Sequence, residues 1–292
     1  MELEIIRSIQ SISNQFLDTI FKVITFLGDQ YVFIALAVVI YWFIDKKKGF
    51  KLVFVFLLST AFTSVFKTII KRPRPFKEDP TLLIGTETHG YSFPSGHSQA
   101  IAVETSFLYD EYGKKKSWVK YVLLSLLILV PFSRVYLGQH YPTDVLAGVI
   151  LGIGMFILGS YLFKQMKDKE DLFGLGLGLI FLITLIILSF LKLDYDKYKD
   201  LFVGCAGFIG FSIGYFLEKK YVKFDVKNHS IKKTIVTLVI GLTGIILIQF
   251  GLKEVLPKGV LVLDGLRYLL LGLYATVGTL FICSKVVKNN DL

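Results

Sequence analysis

Charge is scarce in this chain. Only 19% of its 292 residues are Asp, Glu, Lys or Arg, and 53% are hydrophobic. An ordinary soluble domain carries roughly 25% charge, so a large water-soluble core is a poor reading. Cysteine is nearly missing as well. Cys205 and Cys283 both lie inside apolar runs and read as small buried hydrophobes. No C-x-x-C pair offers metal-ligand spacing. Internal repeats of fixed period, low-complexity tracts and long linkers are also lacking. The opening residues, MELEIIRSIQSISNQ, have no basic region followed by an apolar core and a small-residue cleavage site. The first span is therefore expected to act as its own insertion signal.

Apolar runs near membrane-spanning length are what the chain does have, and its mean hydropathy is +0.61. Each run is long enough to cross a hydrocarbon core of about 30 Å. Nine spans are expected, near 28–44, 50–70, 97–110, 118–136, 142–163, 172–191, 201–217, 234–252 and 261–283. The span at 97–110 is the weakest, because it carries Gln99 and Glu104. Before them, Ile5, Ile9, Ile12, Phe16 and Ile20 recur at helical spacing, with Arg7, Asp18 and Lys22 around them. Residues 4–27 thus read as an amphipathic helix lying in the interface. The expected class is all-α: a polytopic membrane helix bundle of about nine transmembrane helices plus an N-terminal interfacial helix. Three regions follow: 1–27 interfacial, 28–165 a core bundle, and 172–283 a further four-span region. Gly148 and Gly152, and Gly210 and Gly214, have the spacing that lets membrane helices approach closely.

Nine spans put the connecting stretches 45–51, 110–120, 164–171, 218–233 and 284–292 on one side. Their excess of basic over acidic residues is +10, the whole formal charge of the chain. By the positive-inside bias that side is cytoplasmic. The charge then describes orientation and contact with anionic lipid, with no nucleic-acid partner needed.

Three polar clusters interrupt the apolar background, and span parity puts all three at the opposite, extracytoplasmic face. The first runs from Lys67 to Arg74 and Pro75. The second is Pro94, Ser95, Gly96 and His97. The third contains Ser133, Arg134, His140 and Asp144. Taken singly, a Lys or Arg at a span end is a snorkelling anchor and a lone His a hydrated surface residue. Together they form a phosphate-binding chemistry. Lys67, Arg74 and Arg134 supply cations suited to phosphoryl oxygens. Ser95 is a natural N-cap, and the amides after it sit at the positive end of a helix dipole, where Gly96 admits a ligand close to the backbone. Asp144 stands four residues after His140, and Pro142 suits a first helical turn. The carboxylate can reach back to one ring nitrogen and leave the other nucleophilic. His97 has the chemistry of a general acid and base.

These residues resemble the signature of the type 2 phosphatidic acid phosphatase superfamily, which also includes glucose-6-phosphatases and vanadium haloperoxidases. The signature K-x6-R-P, P-S-G-H, S-R-x5-H-x3-D is met at Lys67, Arg74 and Pro75; at Pro94, Ser95, Gly96 and His97; and at Ser133, Arg134, His140 and Asp144. The resemblance covers roughly residues 16–163, and no comparable motif marks the last four spans. It implies that His140 attacks phosphorus and becomes a phosphohistidine, that Asp144 orients His140, and that His97 protonates the leaving oxygen and then activates water. It implies phosphate binding by Lys67, Arg74, Ser95, Gly96 and Arg134, with no metal and no cofactor. Pro75, Pro94 and Ser133 are implied structural members. The expected substrate is a membrane lipid phosphate such as undecaprenyl diphosphate, phosphatidate, phosphatidylglycerophosphate or a sphingoid phosphate. A soluble sugar-phosphate phosphatase and a lipid transporter that keeps the motif are the competing readings. Glu104 is the intramembrane charge that would serve the latter, while Asp264, Arg267 and Gln249 could line a cleft. A haloperoxidase is disfavoured, since those enzymes are soluble. Oligomeric state is not readable from the sequence.

Overall fold

The computed structural model describes residues 1–114, 116–227 and 230–287. His229 and the end of the basic tail, 288–292, lie outside them. All regular structure among the described residues is helical. The chain forms two compact units, one of residues 1–35 with 58–161, the other of 36–57 with 162–292.

In the first unit, α1 (Glu2–Gln10) and α2 (Gln15–Phe26) replace the single helix expected over 4–27. The break falls where Asn14 takes an extended backbone and its side chain accepts from the Leu17 amide at 3.0 Å, capping a new helix. α3 (Gln30–Phe43) follows α2 across a 45° bend; residues 36–43 of it and 46–57 of the next helix belong to the second unit. α4 (Lys46–Ile70) ends where Pro73 and Pro75 stop helical hydrogen bonding, and the short α5 (Pro75–Glu78) starts on Pro75. α6 (Gly96–Leu108) continues through a π turn to Gly113. α7 (Ser117–Tyr136) and α8 (Pro142–Gln165) complete the unit. Gly148 of α8 packs on Ser95 and Ser98, and Gly152 on Ala102 and the Gln99 carbonyl. Contacts that advance together along both chains make α6 and α8 parallel neighbours, so both descend from the same end. Glu104 is buried on α6 and its Oε1 has no hydrogen-bond partner.

The second unit holds α9 (Glu170–Ser189), α10 (Tyr195–Leu217), α11 (Ile231–Ile246), α12 (Leu252–Val255), α13 (Leu261–Leu273) and α14 (Thr279–Val286). Gly210 and Gly214 of α10 lie against Leu269, Leu273 and Thr276, so the second small-residue pair also marks a close helix approach. Lys46 donates to buried Glu218 at 2.7 Å and Trp42 to the Ala275 carbonyl at 2.7 Å, which satisfies polar groups inside this unit. Asp264 pairs with Arg267 at 2.8 Å and accepts from Tyr195.

The span count differs from nine. Among the described residues seven helical segments are long and apolar enough to cross a membrane, or eight with α2 and α3 taken as one bent span. α3 alone has 14 residues and α6 has 13. A rise of 1.5 Å per residue gives them about 20 Å each, short of a hydrocarbon core of about 30 Å. Large apolar side chains such as Ile128, Ile150, Ile157, Ile180, Ile183 and Ile187 stand exposed on the long helices. Such surface suits lipid and not water.

Candidate active site

The first unit brings the three polar clusters together. Arg74 is buried. Its Nη1 lies 3.1 Å from His140 Nε2 and donates to the Gln139 carbonyl at 3.1 Å, while Nε and Nη2 donate to the Gly90 and His89 carbonyls at 3.0 and 2.7 Å. Arg134, in the last turn of α7, is buried too. Its Nη1 donates to Thr25 Oγ1 at 3.0 Å, and its buried Nε has no hydrogen-bond partner. The Arg134 carbonyl accepts from the Gln139 and His140 amides at 3.0 and 3.2 Å and so fixes the backbone of the His140 turn. Lys67, near the end of α4, acts electrostatically on His140 together with both arginines.

His140 lies in the turn between α7 and α8. Its Nδ1 is 3.5 Å from Asp144 Oδ2 and 3.3 Å from Ser92 Oγ. The Ser92 hydroxyl in turn donates to Asp144 Oδ2, as does the Tyr141 amide at 2.9 Å. The expected four-residue reach of Asp144 is therefore present, with Ser92 standing between the two groups. The expected N-cap is present as well: Ser95 accepts from the Ser98 amide at 3.4 Å and from Ser98 Oγ at 3.0 Å. The Ser95 amide donates to the Asp144 carbonyl at 3.0 Å, which ties α6 to α8. Ser95 is fully buried, whereas Gly96 and His97 are partly open. Pro94 is cis after Phe93, and Ser133 Oγ donates to the Val130 carbonyl at 2.6 Å.

Three participants escaped sequence reasoning. Ser92 precedes the Pro94-Ser95-Gly96-His97 motif and has no spacing rule of its own. Asp29 sits at the α2–α3 bend with Oδ2 3.9 Å from His97 Nε2, and nothing local marks it. Arg72 donates from Nη1 to Asp144 Oδ1 at 2.9 Å. Its signal was the doubled Arg-Pro of Arg72-Pro73-Arg74-Pro75, of which the signature spacing selects only the second. Among the described residues no group of three or more His, Cys, Asp or Glu side chains is arranged to hold a metal ion.

Fold and site together define a helical membrane protein with buried cations gathered around two histidines. Residues 48–169 match the PAP2 superfamily, and residues 202–289 match the PAP2 superfamily phosphatase transmembrane extension. The chain belongs to the PAP2 superfamily. The second match covers most of the C-terminal region in which no motif was recognised. The chain is 30% identical over 177 residues, 55% of its length, to a probable sphingosine-1-phosphate phosphatase of Dictyostelium discoideum, and covers 42% of that protein. It is 33% identical over 127 residues, 43% of its length, to an undecaprenyl-diphosphatase of Sulfolobus acidocaldarius, covering 60% of it. Among solved structures, a PAP2-type phosphatidylglycerolphosphate phosphatase of Bacillus subtilis aligns with a TM-score of 0.50 at 30% identity, over 57% of this chain and 86% of that one.

Proposed function

We propose that this chain hydrolyses the phosphoryl group of a membrane lipid through a phosphohistidine on His140, without a metal. The observation that carries the reading is a surplus of buried cationic donors around a buried imidazole. Arg74 and Arg134 are 5% and 4% exposed, and the Arg134 Nε–H has no partner. A buried charged donor left without an acceptor is costly, and a phosphoryl dianion would relieve it.

The steps follow from the contacts. Burial, then the charges of Arg74, Arg134 and Lys67, hold the His140 pKa well below the usual histidine range. The ring is thus neutral at pH 7. With Nδ1–H directed at Ser92 and Asp144, Nε2 carries the lone pair. Nε2 bonds to phosphorus as the bond to the leaving oxygen breaks, and His97, protonated while the phosphoryl dianion is bound beside it, gives that oxygen its proton. His97 then takes a proton from water, the water oxygen bonds to phosphorus, and the P–N bond breaks to return neutral His140 and free phosphate. Lys67, Arg74, Arg134, Ser95 and the Gly96 amide hold the equatorial oxygens. Catalysis of this kind is mostly positioning and charge stabilisation.

The PAP2 relatives and the exposed apolar helix faces support a lipid substrate. Phosphate release from long-chain lipid phosphates and diphosphates, beside glucose 6-phosphate, all in excess chelator, tests this. Lipid substrates are expected to exceed the sugar phosphate in kcat/KM by on the order of 10²-fold, because a retained tail supplies binding energy. Equal rates would favour the soluble-substrate reading, and dependence on added metal would overturn the metal-free mechanism.

Nine crossings are reached when the bent α2–α3 pair and α6 with its π turn are each counted. That parity, with the +10 on the opposite side, supports a site at the extracytoplasmic face of a cell membrane. Single cysteines at Glu87 and at Lys223, in a cysteine-free background, are expected to react with an impermeant reagent at 87 only in intact cells. The reverse pattern would invert the orientation.

A further inference from the structure

We propose that Arg72 and Glu2 are positioning residues for the Asp144–His140 pair, which makes the N-terminal helix α1 part of the catalytic apparatus. The inference rests on the phosphatase reading above. Asp144 is fully buried, and its two oxygens are used differently. Oδ2 faces Ser92, the Tyr141 amide and His140. Oδ1 takes Arg72 Nη1 at 2.9 Å. That contact fixes the carboxylate plane and leaves the Oδ2 lone pairs to the imidazole side. The Arg72 carbonyl also accepts the Ser92 amide at 2.8 Å. One residue thus holds both the carboxylate and the hydroxyl that stands between it and His140. Arg74, two residues on, lies at Nε2, the opposite edge of the ring. The doubled Arg-Pro therefore divides its labour, one guanidinium at the nucleophilic edge and one behind the carboxylate.

Arg72 is itself held. Nη2 donates to Glu2 Oε2 at 2.5 Å, Nη1 donates to Thr143 Oγ1 at 2.7 Å, and the guanidinium lies 3.7 Å from the Tyr141 ring centroid. A planar fork can serve Asp144, Thr143 and Glu2 at once, which an ammonium cannot do with the same geometry. Glu2 Oε1 accepts from Thr143 Oγ1 at 2.8 Å and from its amide at 3.1 Å. That amide belongs to the first turn of α8, where an acidic partner is favoured. Burial alone would push the Glu2 pKa up, but the Arg72 and Thr143 bonds outweigh it and hold it below the usual range. Farther along α1, Ile6 is buried against Leu82, Val135, Tyr141 and Val145. The Gln10 amide donates to the Leu82 and Tyr136 carbonyls at 2.8 and 2.7 Å. Glu2 is therefore delivered to Arg72 by a docked helix.

The test uses full-length wild type, Glu2→Gln, Arg72→Gln, Arg72→Lys and the double variant Glu2→Gln/Arg72→Gln, with Arg7→Gln as control. Arg7 stands on the same helix as Glu2 but pairs with Asp79 at 2.7 Å, and among the described residues no hydrogen bond or ion pair links it to Asp144. Each is assayed on one lipid phosphate in the same vesicles, with inorganic phosphate as competitor and with thermal unfolding. Arg72→Gln is expected to lower kcat by on the order of 10²-fold, the scale of a small misplacement of reacting groups, with KM and the phosphate inhibition constant within about twofold. Arg72→Lys should recover part of that loss. Glu2→Gln should lower kcat by roughly 3–10-fold, and the double variant should match Arg72→Gln, because the two residues act as one unit. Arg7→Gln should stay within about twofold, as an exposed pair.

Unchanged kcat in Arg72→Gln at unchanged melting temperature would overturn the proposal. So would a rise in KM and in the phosphate constant at intact kcat, or single losses that simply multiply in the double variant. If Arg72→Gln does not fold, Glu2→Gln decides alone: wild-type kcat there sinks the inference. A wild type that releases no phosphate from any substrate would remove the phosphatase reading first, and this proposal with it. An active wild type with indifferent variants removes only the latter.

Discussion

Replacement of His140 by alanine is expected to reduce phosphate release by on the order of 10⁵-fold or more, the scale seen when a covalent nucleophile is removed. The surrounding groups would still gather a phosphoryl group, since Arg74, Arg134 and Lys67 stand on other segments. They would have nothing to transfer it to. A rapid quench in alkaline detergent with ³²P-labelled substrate is the direct check. Wild type is expected to trap an acid-labile, base-stable phosphoryl-enzyme, and His140→Ala to trap none. The imidazole is fully enclosed, so its removal leaves a small cavity. A melting temperature near that of wild type would show that the loss is chemical. Retention of more than a hundredth of the wild-type rate, or an unchanged phosphoryl-enzyme, would remove His140 from its role.

The second large effect lies two residues earlier. Gly138 has φ +67° in the turn that leads to His140. A left-handed backbone costs an alanine about 1–2 kcal/mol. At this position the added Cβ would also strike the backbone carbonyl of Leu82, which cannot swing aside as a flexible side chain would. Overpacking of this kind adds about 1–3 kcal/mol. Gly138→Ala is therefore expected to lower the melting temperature by roughly 5–10 °C on the usual scaling of stability with size. It should also cut kcat sharply, because the Gln139 and His140 amides hang from the Arg134 carbonyl on this turn. Gly259 provides the contrast, with φ +79° and open space around it. Gly259→Ala should show the backbone cost alone and leave kcat intact. Equal behaviour of the two variants would contradict the account of Gly138.

What the amino-acid sequence made legible was local. Four residues separate His140 from Asp144, and Pro142 starts a helix between them, so their approach followed from helix geometry. Ser95 as the cap of α6 followed in the same way. Arg72, Ser92 and Asp29 reach their partners only through tertiary packing. Asp29 arrives at His97 because the α2–α3 pair bends there, and the Gly28–Asp29 step inside an apolar run announced a span start rather than a bend. The span count was legible only in part, for a related reason. Hydropathy finds runs of apolar residues, but α3 and α6 are each too short to cross unaided, and their lengths are set by the bend and by the site. The C-terminal spans bear no catalytic motif. Their apolar runs and glycine spacing were readable, and the spacing marks where α10 meets α13.

The carbonyls that hold Arg74 give the site a sense of charge. His89, Gly90 and Gln139 offer neutral acceptors to its guanidinium. An incoming group must displace some of them to use that fork. Charge-assisted bonds are roughly twice as strong as neutral ones. A terminal phosphate with two negative charges therefore wins the exchange readily. A phosphodiester, with one charge shared between two oxygens, competes on much poorer terms. On the phosphatase reading proposed above, the diester headgroups of a bilayer would leave Arg74 with the His89 and Gly90 carbonyls, while a monoester would displace them.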